Sequence, residues 1–198
     1  TNLDVVTNAR ITSIKFTSAD GVGSFELTTG LPTVTDFTWT LANNPSWTSQ
    51  LVSGKTYTVS AQLAATVAGT AITTVVAQSV PVLVDKDPPV LIKVECDKTF
   101  LKVGDFATYT FTFSEAPVGF TATDLTVVGG TISNLVQSAS DPKVWTATFT
   151  ATDGFTGTAS VAVNNGSYTD AAGNPGTAGS DNVAVDTGAP SVVVDIVD

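Results

Sequence analysis

Thr108-Tyr109-Thr110-Phe111-Thr112-Phe113 alternates a large aromatic ring with threonine for six residues, and Trp145-Thr146-Ala147-Thr148-Phe149-Thr150 repeats the pattern. Successive side chains of a strand point to opposite faces, so each stretch predicts a half-buried β-strand, apolar on one face and threonine-lined on the other. Working outward, the runs 90–96, 125–128, 131–136, 159–163 and 182–185 are apolar and bounded by turn formers, and they read as further strands. About seven short strands in roughly 100 residues suit a Greek-key sandwich. Residues 11–16, 24–27, 36–41, 56–63, 72–77 and 81–84 give a second, less regular set. No stretch sustains a helical period, so the expected fold is all-β: two tandem immunoglobulin-like Greek-key β-sandwiches, the first of them immunoglobulin-like or fibronectin-like.

The boundary comes from a repeat. Val82-Leu-Val-Asp-Lys-Asp-Pro-Pro-Val90 returns as Val183-Ala-Val-Asp-Thr-Gly-Ala-Pro-Ser191, with Asp85 matched to Asp186. That spacing is the size of one sandwich. The expected organisation is therefore 1–84, 85–186, and 187–198 as the start of a following repeat. With no methionine anywhere, the chain reads as an internal stretch of a longer protein.

Composition narrows the chemistry. Hydrophobic residues make up 42% and charged residues 13% of 198, enough apolar material to bury a core. Histidine is absent, which excludes Ser-His-Asp and Cys-His nucleophiles and histidine-held zinc or haem. No phosphate-cradling glycine motif or CxxC pair is present, and we expect no catalytic residue. The single cysteine, Cys96, allows no internal disulfide and reads as a small core residue. No apolar run is long enough to span a membrane, and the net charge of −10 argues against nucleic acid as a partner.

That charge is unevenly placed. Residues 1–84 hold four acids and three bases, which leaves fourteen acids and five bases for 85–198. In a sandwich of this type the start of the first strand lies at the same pole as the turn after the second strand and the loop before the last. Those pieces are Asp85-Lys86-Asp87-Pro88-Pro89, Phe113-Ser114-Glu115-Ala116-Pro117 and Tyr168-Thr-Asp170-Ala-Ala-Gly-Asn174-Pro-Gly176. Asp85, Asp87, Glu115 and Asp170 are thus expected to converge, with Asn174 offering an amide oxygen. Carboxylates gathered so closely either protonate or take a cation. Calcium, which accepts six to eight oxygens at flexible geometry, fits better than magnesium. Asp124 and Asp181, at the expected starts of two strands, are second-rank ligands. Asp186, with Asp153, is expected to serve the next joint.

Three phrases also carry a resemblance: FTFSEAPVGFTATDLTVVGGTISNL (111–135), YTDAAGNPG (168–176) and VAVDTGAP (183–190). Together they resemble the bacterial Ig-like repeat of very large RTX-type adhesins exported by type I secretion. The resemblance implies a monomeric, extracellular chain at the bacterial cell surface, in which Asp85, Asp87, Glu115, Asp170 and Asn174 bind calcium at a domain junction. It also implies that the neighbouring repeats are the partners, and that any host or surface ligand is gripped elsewhere. The expected function is a structural extender of such an adhesin. The alternatives are a glycan- or protein-binding module, with the loop residue Trp47 as its anchor, or an accessory domain of a secreted polysaccharide-degrading enzyme or S-layer.

Overall fold

The computed structural model describes residues 6–29, 31, 48–67, 70–78, 81–192 and 194. The strand expected over 36–41, with Trp39, and the loop residue Trp47 lie outside the described residues. The chain divides into two compact units, Thr1–Lys86 and Asp87–Asp198. Among the described residues no helix is long and apolar enough to cross a membrane.

The first unit contains β1 (Val6–Ser18), β2 (Phe25–Leu27), β3 (Thr56–Val67), β4 (Thr70–Gln78) and β5 (Val82–Leu83). They form one antiparallel sheet in the order β2-β1-β3-β4, with β5 also paired to β3. A sandwich needs two facing sheets, and the described residues of this unit contain only this single sheet. Ile11, Ile14, Phe16, Tyr57 and Ala61 form its buried core, and the Phe16 ring stacks on Phe25 with centroids 4.6 Å apart. β3 runs four residues past the expected end, because Ala64 to Val67 keep pairing with β1 and β4.

The second unit holds β6 (Leu91–Cys96), β7 (Phe100–Lys102), β8 (Phe106–Phe113), β9 (Leu125–Val128), β10 (Gly130–Gln137), β11 (Val144–Ala151), β12 (Thr156–Val163) and β13 (Gly179–Asp186). One sheet is ordered β10-β11-β8-β6 and the other β7-β13-β12-β9. These are the ABED and CFG sheets of an immunoglobulin sandwich, with β7 added parallel to β13 at one edge. The alternation in the sequence is realised directly. Ala107, Tyr109, Phe111 and Phe113 of β8 are buried, as are Ala147 and Phe149 of β11, while their intervening threonines face outward. Leu101, Val161, Val163, Val183 and Val185 close the core from the opposite sheet. Trp145 is half-buried against Phe120, their rings edge to face at 5.4 Å. Cys96 is half-buried in β6.

Two elements were not expected. β7 is three residues long, and a short 3-10 helix, Ala122–Asp124, precedes β9.

Candidate metal centre

The pole from which β6 departs is assembled by backbone pairing before any acid is considered. Ser114, just after β8, donates its amide to the Val90 carbonyl at 2.8 Å, and its hydroxyl accepts the Val90 amide at 2.9 Å. Val118 and Thr169 exchange two backbone bonds of 2.7 and 3.1 Å, which ties the segment after β8 to the loop after β12. Tyr168 is 1% exposed; its hydroxyl donates to the Thr177 carbonyl at 2.9 Å, and Thr177 in turn reaches the Pro89 carbonyl and the Leu91 amide. Burial pushes the Tyr168 hydroxyl up, with the Thr177 bond opposing it. Gly176 sits flat on the Tyr168 ring, where a Cβ would lie 2.2 Å from two ring carbons. Tyr168 and Gly176 thus position the loop, a role not expected from their place in its phrase; the signal for it is an aromatic and a glycine eight residues apart across a tight loop.

That loop carries Asp170, which is 2% exposed. The Asn174 amide donates to its Oδ1 at 2.9 Å and the Asn174 Nδ2 donates to its Oδ2 at 2.7 Å. Desolvation is the largest single influence and works to raise the carboxyl. The bonds from Asn174, followed by the Gly173 and Ala172 amides, together outweigh it and hold Asp170 below the usual carboxylate range. A buried aspartate is thus kept as an anion by its own loop.

Asp170 has two acidic neighbours. Asp85, exposed in the linker, and Glu115, half-buried after β8, each place a carboxylate oxygen so that these and one from Asp170 lie within 4.8 Å of one another. Two unit charges at such a separation repel by roughly 3 kcal/mol at an effective dielectric near 20, and by less on the exposed flank. Oxygens around one calcium ion, each about 2.3 to 2.6 Å from it, stand at most about 5 Å apart. The donor set is all oxygen, so the trio fits a hard divalent cation and not a thiophilic one.

The remaining expected ligands divide. Asn174 joins the site through Asp170, and its Nδ2 also lies 3.5 Å from the Asp87 carbonyl. Asp124 lies at the same pole but is 8% exposed and caps the 3-10 helix, its Oδ2 accepting the Thr121 amide at 2.6 Å. Asp181 is not at the start of its strand: it is the third residue of β13, and its carboxylate accepts the Cys96 amide at 2.8 Å and the Asn182 amide at 2.8 Å.

Asp186 and Asp153 belong to the opposite end of the second unit, where β13 finishes. The letter match of Asp186 with Asp85 does not hold in the backbone. In the first unit Val84 donates to the Lys55 carbonyl at 2.9 Å and accepts from Gly54 at 2.8 Å. In the second it is Thr187 that donates to the Phe155 carbonyl at 2.9 Å and accepts from Gly154 at 3.3 Å, with Gly54 and Gly154 both at a φ of about 75°. Val84 thus corresponds to Thr187, and Asp85 to Gly188. Asp186 stands two positions earlier and accepts from the Thr156 hydroxyl and the Gly188 amide.

The profile of the bacterial Ig-like domain family matches residues 85–187, just over half of the chain and inclusive of Asp85, Glu115 and Asp170. Fourteen chains of solved structures match. One is the crystal structure of the S-layer protein rSbsC(31-844), at 17% identity and a TM-score of 0.34, covering 90% of this chain and 21% of that one. This chain therefore spans about a fifth of the length of that protein. No curated protein matches. The two-sheet topology of the second unit and the profile agree: the chain belongs to the bacterial Ig-like domain family.

Proposed function

We propose that this chain is an extender of a large bacterial cell-surface adhesin of the RTX type, exported by type I secretion, and that calcium stiffens it at the junction that begins with Asp85. The observation that carries the reading is the trio of carboxylate oxygens from Asp85, Glu115 and Asp170 within 4.8 Å, contributed by the linker and by two loops distant in sequence.

Physically, the reading works as follows. Lys86 fastens the linker to the first unit, its amide donating to Ser53 Oγ at 2.9 Å and its Nζ to the carbonyls of Thr48 and Leu51. A cation taken by Asp85 together with Glu115 and Asp170 fastens the same linker to the loops of the Ig-like segment. Asn174 adds Oδ1 as a ligand, and Asp87 adds a further oxygen. Bending the linker would then strip ligands from the ion or leave like charges facing each other. Low calcium inside the cell leaves the linker loose for export, and millimolar calcium outside stabilises the folded, extended form by mass action. No chemistry beyond charge neutralisation is needed, which suits a chain without histidine or a cofactor motif. Its partners are the neighbouring repeats, and it works as a monomer outside the cell.

The test compares the chain in calcium and in chelator, by thermal unfolding and small-angle scattering. The expected result is a rise in melting temperature and in maximum dimension when calcium is present. No change in either property would defeat the reading.

A further inference from the structure

We propose that the outer face of the β10-β11-β8-β6 sheet carries a second site, a cleft that binds a neutral saccharide. It lies at the end of the second unit away from the acidic trio, and neither reading needs the other.

A cleft of about 390 Å³ opens there, walled by Phe106, Asn134, Thr148, Thr150, Asp105 and Asp153 among others. That is at the small end of the roughly 300 to 1,000 Å³ of ligand pockets, which is room for one or two sugar rings. Three independent features give it a chemistry. The first is Phe106. The outward row of β8 is otherwise threonine (Thr108, Thr110, Thr112), and Phe106 breaks it, 65% exposed and paired in register with Thr150 of β11. An isolated exposed ring needs no explanation, but this one walls a polar cleft. Its face carries the negative part of the ring quadrupole and suits the C–H face of a pyranose.

The second feature is Asn134. Among the described residues it is the non-glycine residue with a positive φ, 52°, and it sits at the irregularity of β10 where pairing with β11 slips between Ser133 and Val136. Bulges of this kind re-aim a side chain, and asparagine tolerates the left-handed conformation that does so. The result places a primary amide in the cleft wall beside Thr148, which pairs with Ser133.

The third is the charge pattern. Asp105 is held in place by the Lys102 amide, which donates to its Oδ2 at 3.2 Å, and Asp153 stands in the same wall. Lys102 also lines the cleft, and the two carboxylates outnumber its single positive charge, so the wall is net negative and disfavours an anionic guest, on a chain already at −10. A purely apolar guest would desolvate them without compensation. A neutral polyol satisfies both surfaces at once: its hydroxyls donate to the carboxylates and exchange bonds with the threonines and the amide, while its apolar face covers Phe106.

The experiment is a titration of the whole ¹⁵N-labelled chain, followed by amide shifts, with methyl β-glucopyranoside, methyl β-galactopyranoside, N-acetylglucosamine and, as an anionic control, N-acetylneuraminic acid, each to about 50 mM. The expected result is that at least one neutral sugar gives saturable shifts at Asn134, Thr148 and Thr150, with a dissociation constant on the order of 1 mM. Phe106→Ala and Asn134→Gly, which preserves the backbone conformation, each weaken binding by roughly tenfold or more while the amides of Phe111 and Phe149 keep their positions. The proposal is overturned if no neutral sugar gives saturable shifts, if the shifts survive both substitutions, or if the acidic sugar binds as well as the neutral ones.

Discussion

Asn174 holds both oxygens of Asp170, its backbone amide on Oδ1 at 2.9 Å and its side-chain nitrogen on Oδ2 at 2.7 Å. A carboxylate that is nearly inaccessible to water is thereby fixed in orientation and kept charged. Truncating Asn174 to alanine removes the side-chain bond while the buried charge remains. A hydrogen bond to a charged group contributes about 1.5 to 3 kcal/mol, so Asn174→Ala is expected to destabilise the calcium-free Ig-like segment by an amount in that range. Chemical denaturation of the two proteins in chelator measures it.

The same bonds give a pH dependence. Asp170 holds its proton less tightly when folded than at its ordinary 3.8. Its contribution to stability is therefore fully present above the ordinary carboxylate range, and it is lost as pH falls through the lower, folded value. Melting temperatures of wild type and Asp170→Asn, measured in chelator from pH 6 downward, should converge as the solution becomes acid. Parallel curves would place the acid sensitivity elsewhere.

Gly176 tests the scaffold beneath the acids. A methyl group there would overlap the Tyr168 ring, whose hydroxyl anchors Thr177. Overpacking typically costs about 1 to 3 kcal/mol, and Gly176→Ala is expected to lose stability in that range and to weaken calcium binding without removing a ligand. Equilibrium denaturation with a parallel calcium titration checks both effects.

At the opposite end, Thr187 is 5% exposed and its hydroxyl accepts the Phe155 amide at 2.9 Å while facing the Thr152 carbonyl at 2.7 Å. Thr187→Val keeps the shape but removes the hydroxyl's bonds and leaves the Phe155 amide and the Thr152 carbonyl only their mutual bond of 3.2 Å, at an expected cost of about 1 to 3 kcal/mol. Asp186→Asn, whose partners are exposed, should change stability by less than about 1 kcal/mol. A reversal of that order in thermal melts would mean that the Asp186 carboxylate, and not the Thr187 hydroxyl, anchors this end of the unit.

How much of this was legible beforehand follows from the physics of each part. The strands of the second unit were visible because Tyr109, Phe111 and Phe113 share one face and their threonines the other, a period no other local structure produces. β7 was not, since Phe100 and Lys102 are exposed and only Leu101 is buried, so three residues carry no periodic signal and the parallel pairing with β13 is a tertiary matter. The convergence of Asp85, Glu115 and Asp170 was expected from strand order alone. The use of Asp124 as a helix cap and of Asp181 as an acceptor for Cys96 was not, because an aspartate near a strand end reads the same whether it faces a cation or a neighbouring amide. The repeat misled for a related reason: identical letters at Asp85 and Asp186 conceal a difference in where the last strand makes its final backbone bonds.

The central claim, that Asp85, Glu115 and Asp170 share one divalent ion, is tested most directly by calorimetric titration of calcium into the chain and into Glu115→Gln and Asp170→Asn. The account predicts saturable binding by the native chain with a dissociation constant of about 0.1 to 1 mM, lost or weakened at least about tenfold in each variant. Absence of binding to the native chain, or equal binding by all three proteins, would contradict it.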